Sequence, residues 1–245
     1  PLIDYNHVGQ PDRLGGRTVL DVNLLALTRT GSNDTRRLSI RGGWEVPFFT
    51  SFGDAFKLSA KMLGDFYNVG QLPRSDAPED FTGFSGRLLP ELTLSWRHPF
   101  VRQQGSGHQV IEPIASVVLS PYGGNTGKIP NEDSVDFEFD DTNLFRSSRF
   151  SGLDRVESGP RINYGLKWDI YGRDGGSTGF LIGQSYRVRR DNTFAALSGL
   201  EDHFSDIVAR VQVKPIKLVD LTYRTRISKE NLSPAAFIGV RGKDI

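Results

Sequence analysis

The densest chemistry in this 245-residue chain lies in PYGGNTGKIPNEDSVDFEFDDTNLFRSSRFSGLDRVESGP, residues 121–160. That stretch carries eight carboxylates (Glu132, Asp133, Asp136, Glu138, Asp140, Asp141, Asp154 and Glu157) against four cations, Lys128, Arg146, Arg149 and Arg155. Oxygen-rich runs such as Glu132, Asp133, Asp136, Asp140 and Asp141 could ligate calcium, but they lack the fixed spacing and turn glycine of a loop site. Two carboxylates can act as acid and base in glycoside hydrolysis; residues this common do not select that chemistry by their presence. His7, His98, His108 and His203 stand apart from one another, so no Ser/His/Asp set assembles. No H-E-x-x-H, P-loop or dinucleotide fingerprint occurs in a usable context. With no cysteine there is no disulfide framework, thiolate zinc site or thiol nucleophile. The expectation is a protein with no catalytic residue, metal or cofactor. Forty residues without periodicity are functional or disordered. Phe137, Phe139, Leu144, Phe145, Phe150 and Leu153 give this loop something to bury, so it should fold, its acidic groups against a basic surface.

The segments that must position such a loop are strands. Apolar and polar residues alternate with period two in 37–46, 56–66, 87–97, 161–171, 207–214 and 219–227. In the first, Leu38, Ile40, Trp44 and Val46 oppose Arg37, Ser39, Arg41 and Glu45. Weaker candidates are 18–28, 109–119, 179–189 and 235–241. Pro90, Pro113 and Pro215 each remove a ladder donor and so mark a bulge, a strand end or an edge. No capped amphipathic helix appears. Four of the strong segments run 10–11 residues, the length a tilted strand needs to cross a bilayer. Connections of short length (28–35, 172–178, 215–218) contrast with long ones (68–86, 121–160, 191–205), as in transmembrane barrels. The fold expected is all-β: an antiparallel transmembrane β-barrel, or a portion of one, with about nine or ten strands here. A soluble β-sandwich or β-solenoid is the alternative.

The polar face of these strands is predominantly basic: Arg37, Arg41, Lys57, Lys61, Arg87, Arg97, Arg161, Lys167, Arg187, Arg189, Arg210, Lys214, Arg224 and Arg226. Charges facing lipid cost about 2–4 kcal/mol each at the midplane, so this face should line a watery lumen. Its charges either pair across strands or attract an anionic cargo. Mean hydropathy is −0.36 and no apolar run approaches a transmembrane helix. The net charge of +1 gives no field to recruit nucleic acid. The chain opens at Pro1 without a signal segment, as expected of a mature product or a piece of something longer.

IPNEDSVDFEFDDTNLF followed by RFSGLDRVESGPRINYGL resembles the centre of the LptD family, in its alphaproteobacterial form. GG-x-T-V-L-D-V-N-L-L-A-L-T-R and R-R-L-S-I-R-G-G-W-E-V-P resemble the family's barrel strands. The similarity covers nearly the whole chain, and RFSGLDR (Arg149–Arg155) is its most specific element. The resemblance implies that residues 1–245 are part of a larger barrel in the Gram-negative outer membrane, with a long loop at 121–160, that inserts lipopolysaccharide into the outer leaflet. The partners implied are lipopolysaccharide, an LptE-type lipoprotein plug, and a periplasmic bridge protein that docks through a domain not placed in this stretch. On this view Asp133, Ser134, Phe137, Phe139, Asp140, Asp141 and Phe145, with Arg149, Phe150, Ser151, Gly152, Leu153, Asp154 and Arg155, serve loop packing and recognition; Asp154 and Arg155 would pair with lumen charges. A general porin or uptake channel, and a secreted carbohydrate-active β-domain, remain the alternative functions.

Overall fold

A computed structural model describes residues 1–30, 33–74, 77–105, 107–134, 137–172, 175–216, 218–229 and 234–242, with the last strand and Gln104 described by backbone. Among them are twelve strands and no helix: β1 (Leu2–Val8), β2 (Arg17–Leu27), β3 (Asp34–Phe49), β4 (Ala55–Leu72), β5 (Phe81–Arg97), β6 (Phe100–Gln104), β7 (Gly107–Leu119), β8 (Arg161–Tyr171), β9 (Ser177–Arg187), β10 (Ile207–Ile216), β11 (Val219–Ile227) and β12 (Pro234–Gly242). They form one antiparallel sheet in chain order, except that β6 folds back on β7 beside the main path. All ten periodic segments are strands. The two additional strands, β1 and β6, each pair on one side within this chain, and LIDYNHV and FVRQQ are too short or too mixed to alternate. β3, β4 and β5 reach 16, 18 and 17 residues because ladder pairing continues past the alternating segments at their ends.

The prolines sit where pairing changes. Pro90 pairs with Met62 of β4, just before β5 begins to pair with β7 at Leu92. Pro113 adjoins Ile114, the last β7 residue paired to β5, beyond which β7 takes up β6. Pro215 lies in the register shift between Val213 and Ile216. One expectation needs correction. The 28–33 connection, grouped by length with the short turns, lies at the same end of the sheet as the long ones at 73–80, 120–160 and 188–206, because along the antiparallel main path, with β6 set aside, these connections follow the second, fourth, sixth and eighth strands. Length does not sort the two ends; position along the antiparallel path does.

The sheet's two faces are inverted relative to a soluble protein. One face carries rows of exposed apolar side chains in register, such as Ile3–Leu24–Leu38–Phe66 and Tyr5–Val22–Ile40 with Leu88 beyond Gly64. Leu88 is 68% exposed and Phe66 60%. The opposite face carries the polar series, and the 120–160 and 188–206 loops cover it, burying Arg37, Asp65, Arg161, Asn163 and Arg187. The loops bring their own apolar cores. Phe139, Leu144, Phe194, Leu200 and Val208 form one, flanked by Phe137, Phe145 and Phe150. Ile129 joins Tyr67, Val69 and Leu72 in another.

Two glycines opposite each other, Gly165 on β8 and Gly183 on β9, make the notch that seats the first core. A Cβ on Gly183 would stand 2.4 Å from Leu144 Cδ2 and 2.7 Å from the Tyr164 carbonyl; one on Gly165 would meet Phe145 Cζ at 3.2 Å. Overpacking of this kind costs about 1–3 kcal/mol. Gly183→Val in the full-length protein is therefore expected to unseat the loop and expose Arg146, Arg149 and Arg155 to trypsin. Gly42→Ala, whose Cβ meets nothing within 4 Å, is expected to leave the digestion pattern unchanged.

Candidate functional site

The covered face is a set of charge nodes. On odd-numbered positions β3, β4 and β5 project Arg37, Tyr67, Asp65 and Arg87 to one side, and Asp65 faces Arg87 directly across the ladder. Onto them fold two loop segments held together by reciprocal carboxylates. Asp133 Oδ1 accepts the Leu153 and Asp154 N–H groups at 2.9 and 3.1 Å, while Asp154 Oδ2 accepts the Glu132 and Asp133 N–H groups at 2.6 and 3.2 Å. Arg37 Nη1 clamps both acids, 2.7 Å from Asp133 and 2.5 Å from Asp154, and the Tyr67 hydroxyl donates to Asp154 at 2.9 Å. Arg87 bonds Asp65 at 2.6 Å and donates to the Asp154 and Leu153 carbonyls. Ser134 Oγ accepts the Arg155 N–H at 3.0 Å. Gly152 lies so close to Asp133 that a Cβ would meet its backbone at 2.5 Å. Burial pushes Asp133 up, but Arg37 and the Asp154 and Leu153 N–H groups hold it below its ordinary value. For Asp154 burial prevails over the pull of Arg37 and the Glu132 N–H, and its value is raised.

The second node is Glu157, fully buried among three guanidiniums. Arg149 bonds it directly, Arg187 lies at 2.6 Å and Arg161 at 3.4 Å. Arg149 also donates to Asn163 at 2.6 Å and to the Leu144 carbonyl at 3.0 Å, and lies over the Phe139 ring. Burial raises Glu157, yet the charges of Arg149, Arg161 and Arg187 outweigh it and hold it below the ordinary 4.5. Burial likewise lowers Arg149, to about 10, leaving it cationic at neutral pH. A third node joins Asp141 to Arg210 at 3.0 Å and Arg224 at 2.9 Å.

The remaining loop residues singled out by sequence are packing and turn elements. Phe150 stacks on Phe194 at 5.0 Å, and Phe137 meets both edge-on. Asp140 accepts from the Thr142 N–H and hydroxyl, closing a local turn. Ser151 is exposed. Asp136 lies outside the described residues. Among the described residues no group of three acidic or imidazole side chains is placed to hold a metal ion.

The basic wall divides. Arg37, Arg87, Arg161, Arg187, Arg210 and Arg224 hold the loops, and Arg226 joins them through the Ser198 carbonyl and Asp206. Lys57 and Lys61 pair with Glu45, Arg97 with Glu112, Lys167 with Asp169 and Lys214 with Asp220. Arg189 leaves the wall and stacks on Tyr122. Arg41 has neither ion pair nor hydrogen bond among the described contacts; it lines a cavity of about 180 Å³ with Lys61, Glu91 and Ser147. Arg155 is held through its backbone N–H, which Ser134 Oγ accepts, and its side chain makes no ion pair among the described contacts. Sequence reasoning counted Glu157 without giving it a role, and passed over Tyr67, Asn163 and Asn125. Asn125 ties Val156 by both N–H and carbonyl and reaches Thr193 of the second loop. Strand parity alone places Tyr67 and Asn163 on the polar face; nothing in the sequence points to Asn125.

Comparison with known proteins agrees with this architecture. The family model described as "LptD: LPS transport system D" matches residues 1–233. The "LPS-assembly protein LptD" of Escherichia coli O1:K1 / APEC is 28% identical over 182 residues, 70% of this chain and 22% of that protein. Its counterpart from Vibrio cholerae serotype O1 is 28% identical over 178 residues, 67% of this chain and 21% of the relative. That of Histophilus somni is 24% identical over 213 residues, 79% and 27%. The chain thus spans about a fifth to a quarter of the length of these relatives.

Removing one partner of a buried charge cluster costs about 3–5 kcal/mol, so Glu157→Gln is expected to loosen the 120–160 loop at pH 7, read as faster proteolysis. Because Glu157 is lowered on folding, its stabilisation is complete above the ordinary 4.5 and is lost as pH falls through the lowered value. Wild-type protection should accordingly collapse at acid pH, and the Glu157→Gln profile should be flatter over the same range.

Proposed function

The chain belongs to the LptD family, and from that premise we propose that it forms part of the wall of an integral outer-membrane barrel that delivers lipopolysaccharide to the outer leaflet. The inverted sheet carries this reading: apolar rows lie open on one face and a charged, loop-covered surface lies on the other. On β3 the apolar face runs from Leu38 through Ile40 and Trp44 to Phe48. That length is ~33 Å along the strand, or ~25 Å across a bilayer at a ~40° tilt, the height of an outer-membrane apolar band. Within that face Trp44 donates its indole N–H to Asp12, in the turn before β2, at 2.8 Å, so its one polar atom is satisfied by the protein.

The covered face is the lumen side. Its cations are largely committed to the loops, so the basic wall works first as a scaffold for the acidic loop and only secondarily as an attractant for cargo. Arg41, beside the Lys61 pair, is the described wall cation left for an anionic group of lipopolysaccharide or of a lipoprotein plug. The work done is transport, with cargo and partners engaged by charge and shape. In-cell crosslinking tests the reading, with a photoreactive residue at Arg41 or Lys61 of the full-length protein. Adducts to lipopolysaccharide or to a lipoprotein are expected there and not at Leu58 or Leu92, on the lower open face. Absence of adducts at both covered positions would overturn the lumen assignment.

A further inference from the structure

At the long-loop end of the open face, a groove of about 330 Å³ runs between the first strands and β5, with Leu24, Leu38, Phe66 and Phe84 among its walls. Its head is formed by Arg36 and Asn68, which face each other across the β3–β4 ladder. Arg36 sits one row above Leu38 and points to the apolar side of the sheet, the opposite side from its neighbour Arg37. It is exposed and has no hydrogen bond or ion pair among the described contacts. The carboxylate nearest in sequence on its face, Asp34, is a further row outward and accepts the Arg29 N–H at 3.2 Å. Phe84 is 85% exposed beside it.

A guanidinium on a lipid-facing surface is tolerated at the interface, where it can reach an anionic headgroup. We propose that this groove is a binding site for a lipid with an anionic phosphate headgroup: an acyl chain lies along Leu24, Leu38, Phe66 and Phe84, and the phosphate accepts hydrogen bonds from Arg36 and Asn68. The occupant is set by charge complementarity. A neutral chain would leave Arg36 without a counter-charge, and a protein helix would have to supply a carboxylate at the level of the headgroups. The site rests on the reading of this face as membrane-exposed.

Native mass spectrometry of the detergent-solubilised full-length protein, titrated with phosphatidylglycerol in competition with phosphatidylcholine, tests it. Wild type should retain phosphatidylglycerol preferentially. Arg36→Gln should weaken that retention about tenfold, the factor brought by losing one charge-assisted hydrogen bond. Arg13→Gln, the same charge change in an exposed turn at the other end of the sheet, should retain it as wild type does. A fluorophore at Leu88, quenched by brominated phosphatidylcholine in vesicles, checks the face itself. Quenching together with equal retention by Arg36→Gln and wild type would overturn the lipid site alone. Absence of quenching would overturn the membrane-facing reading beneath it.

Discussion

A carboxylate under a loop remains charged only if cations reach it, and cations on a covered wall remain tolerable only if carboxylates reach them. That mutual neutralisation fixes where the loops lie on the sheet. Glu157 satisfies it with Arg149, Arg161 and Arg187, Asp154 with Arg37, and Asp141 with Arg210 and Arg224. In each node the loop supplies the acid and at least one strand supplies a guanidinium. Buried ion pairs add little net stability over apolar packing; what they provide is a single permitted position. A loop shifted by one residue would leave a charge unpaired in a low-dielectric site, a penalty far larger than the loss of an apolar contact.

Close backbone approach makes that position reachable. Gly152 lets the chain at Leu153 and Asp154 lie against Asp133, so the two carboxylates can each accept the other segment's N–H groups. Arg149, Gly152 and Asp154 therefore act through different physics within one seven-residue element: a charge, a missing side chain and an acceptor. The Gly165–Gly183 notch performs the same service for Leu144 and Phe145 on the wall.

The two faces of the sheet follow opposite rules because their surroundings differ. On the covered face buried charges need partners, and the loops supply those of Arg37, Arg161, Arg187, Arg210 and Arg224, while carboxylates on the strands pair with Lys57, Lys61, Arg97, Lys167 and Lys214. On the open face apolar rows remain bare, which suits hydrocarbon rather than water, and Arg36 stands at the upper margin of that surface, where a headgroup can reach it. The committed state of the wall also changes what a basic lumen means: most of its positive charge is already neutralised internally, so only local positions such as Arg41 retain a field for a visitor.

Ten of the strands were legible because period-two alternation is a direct consequence of strand geometry acting between two unlike environments. The side of each residue followed from parity, which placed Arg37, Arg87 and Arg161 on the polar face before any contact was known. β1 and β6 were not legible: both are short and mixed in composition, and the backbone of the one strand each pairs with in this chain holds them without a side-chain pattern. The composition of 121–160 determined that it would fold and that it would seek positive charge. Which acid meets which arginine depends on how the loop folds over the sheet. Arg37 and Asp154 are 117 residues apart in the chain, and no local rule couples them. The same holds for the assignment of Glu157 rather than Glu138 to the buried node, of Arg41 rather than Arg37 to remain free, and of Asn125 to tie two loops. Alternation sets the face of a side chain; only the path of the covering loop sets its partner.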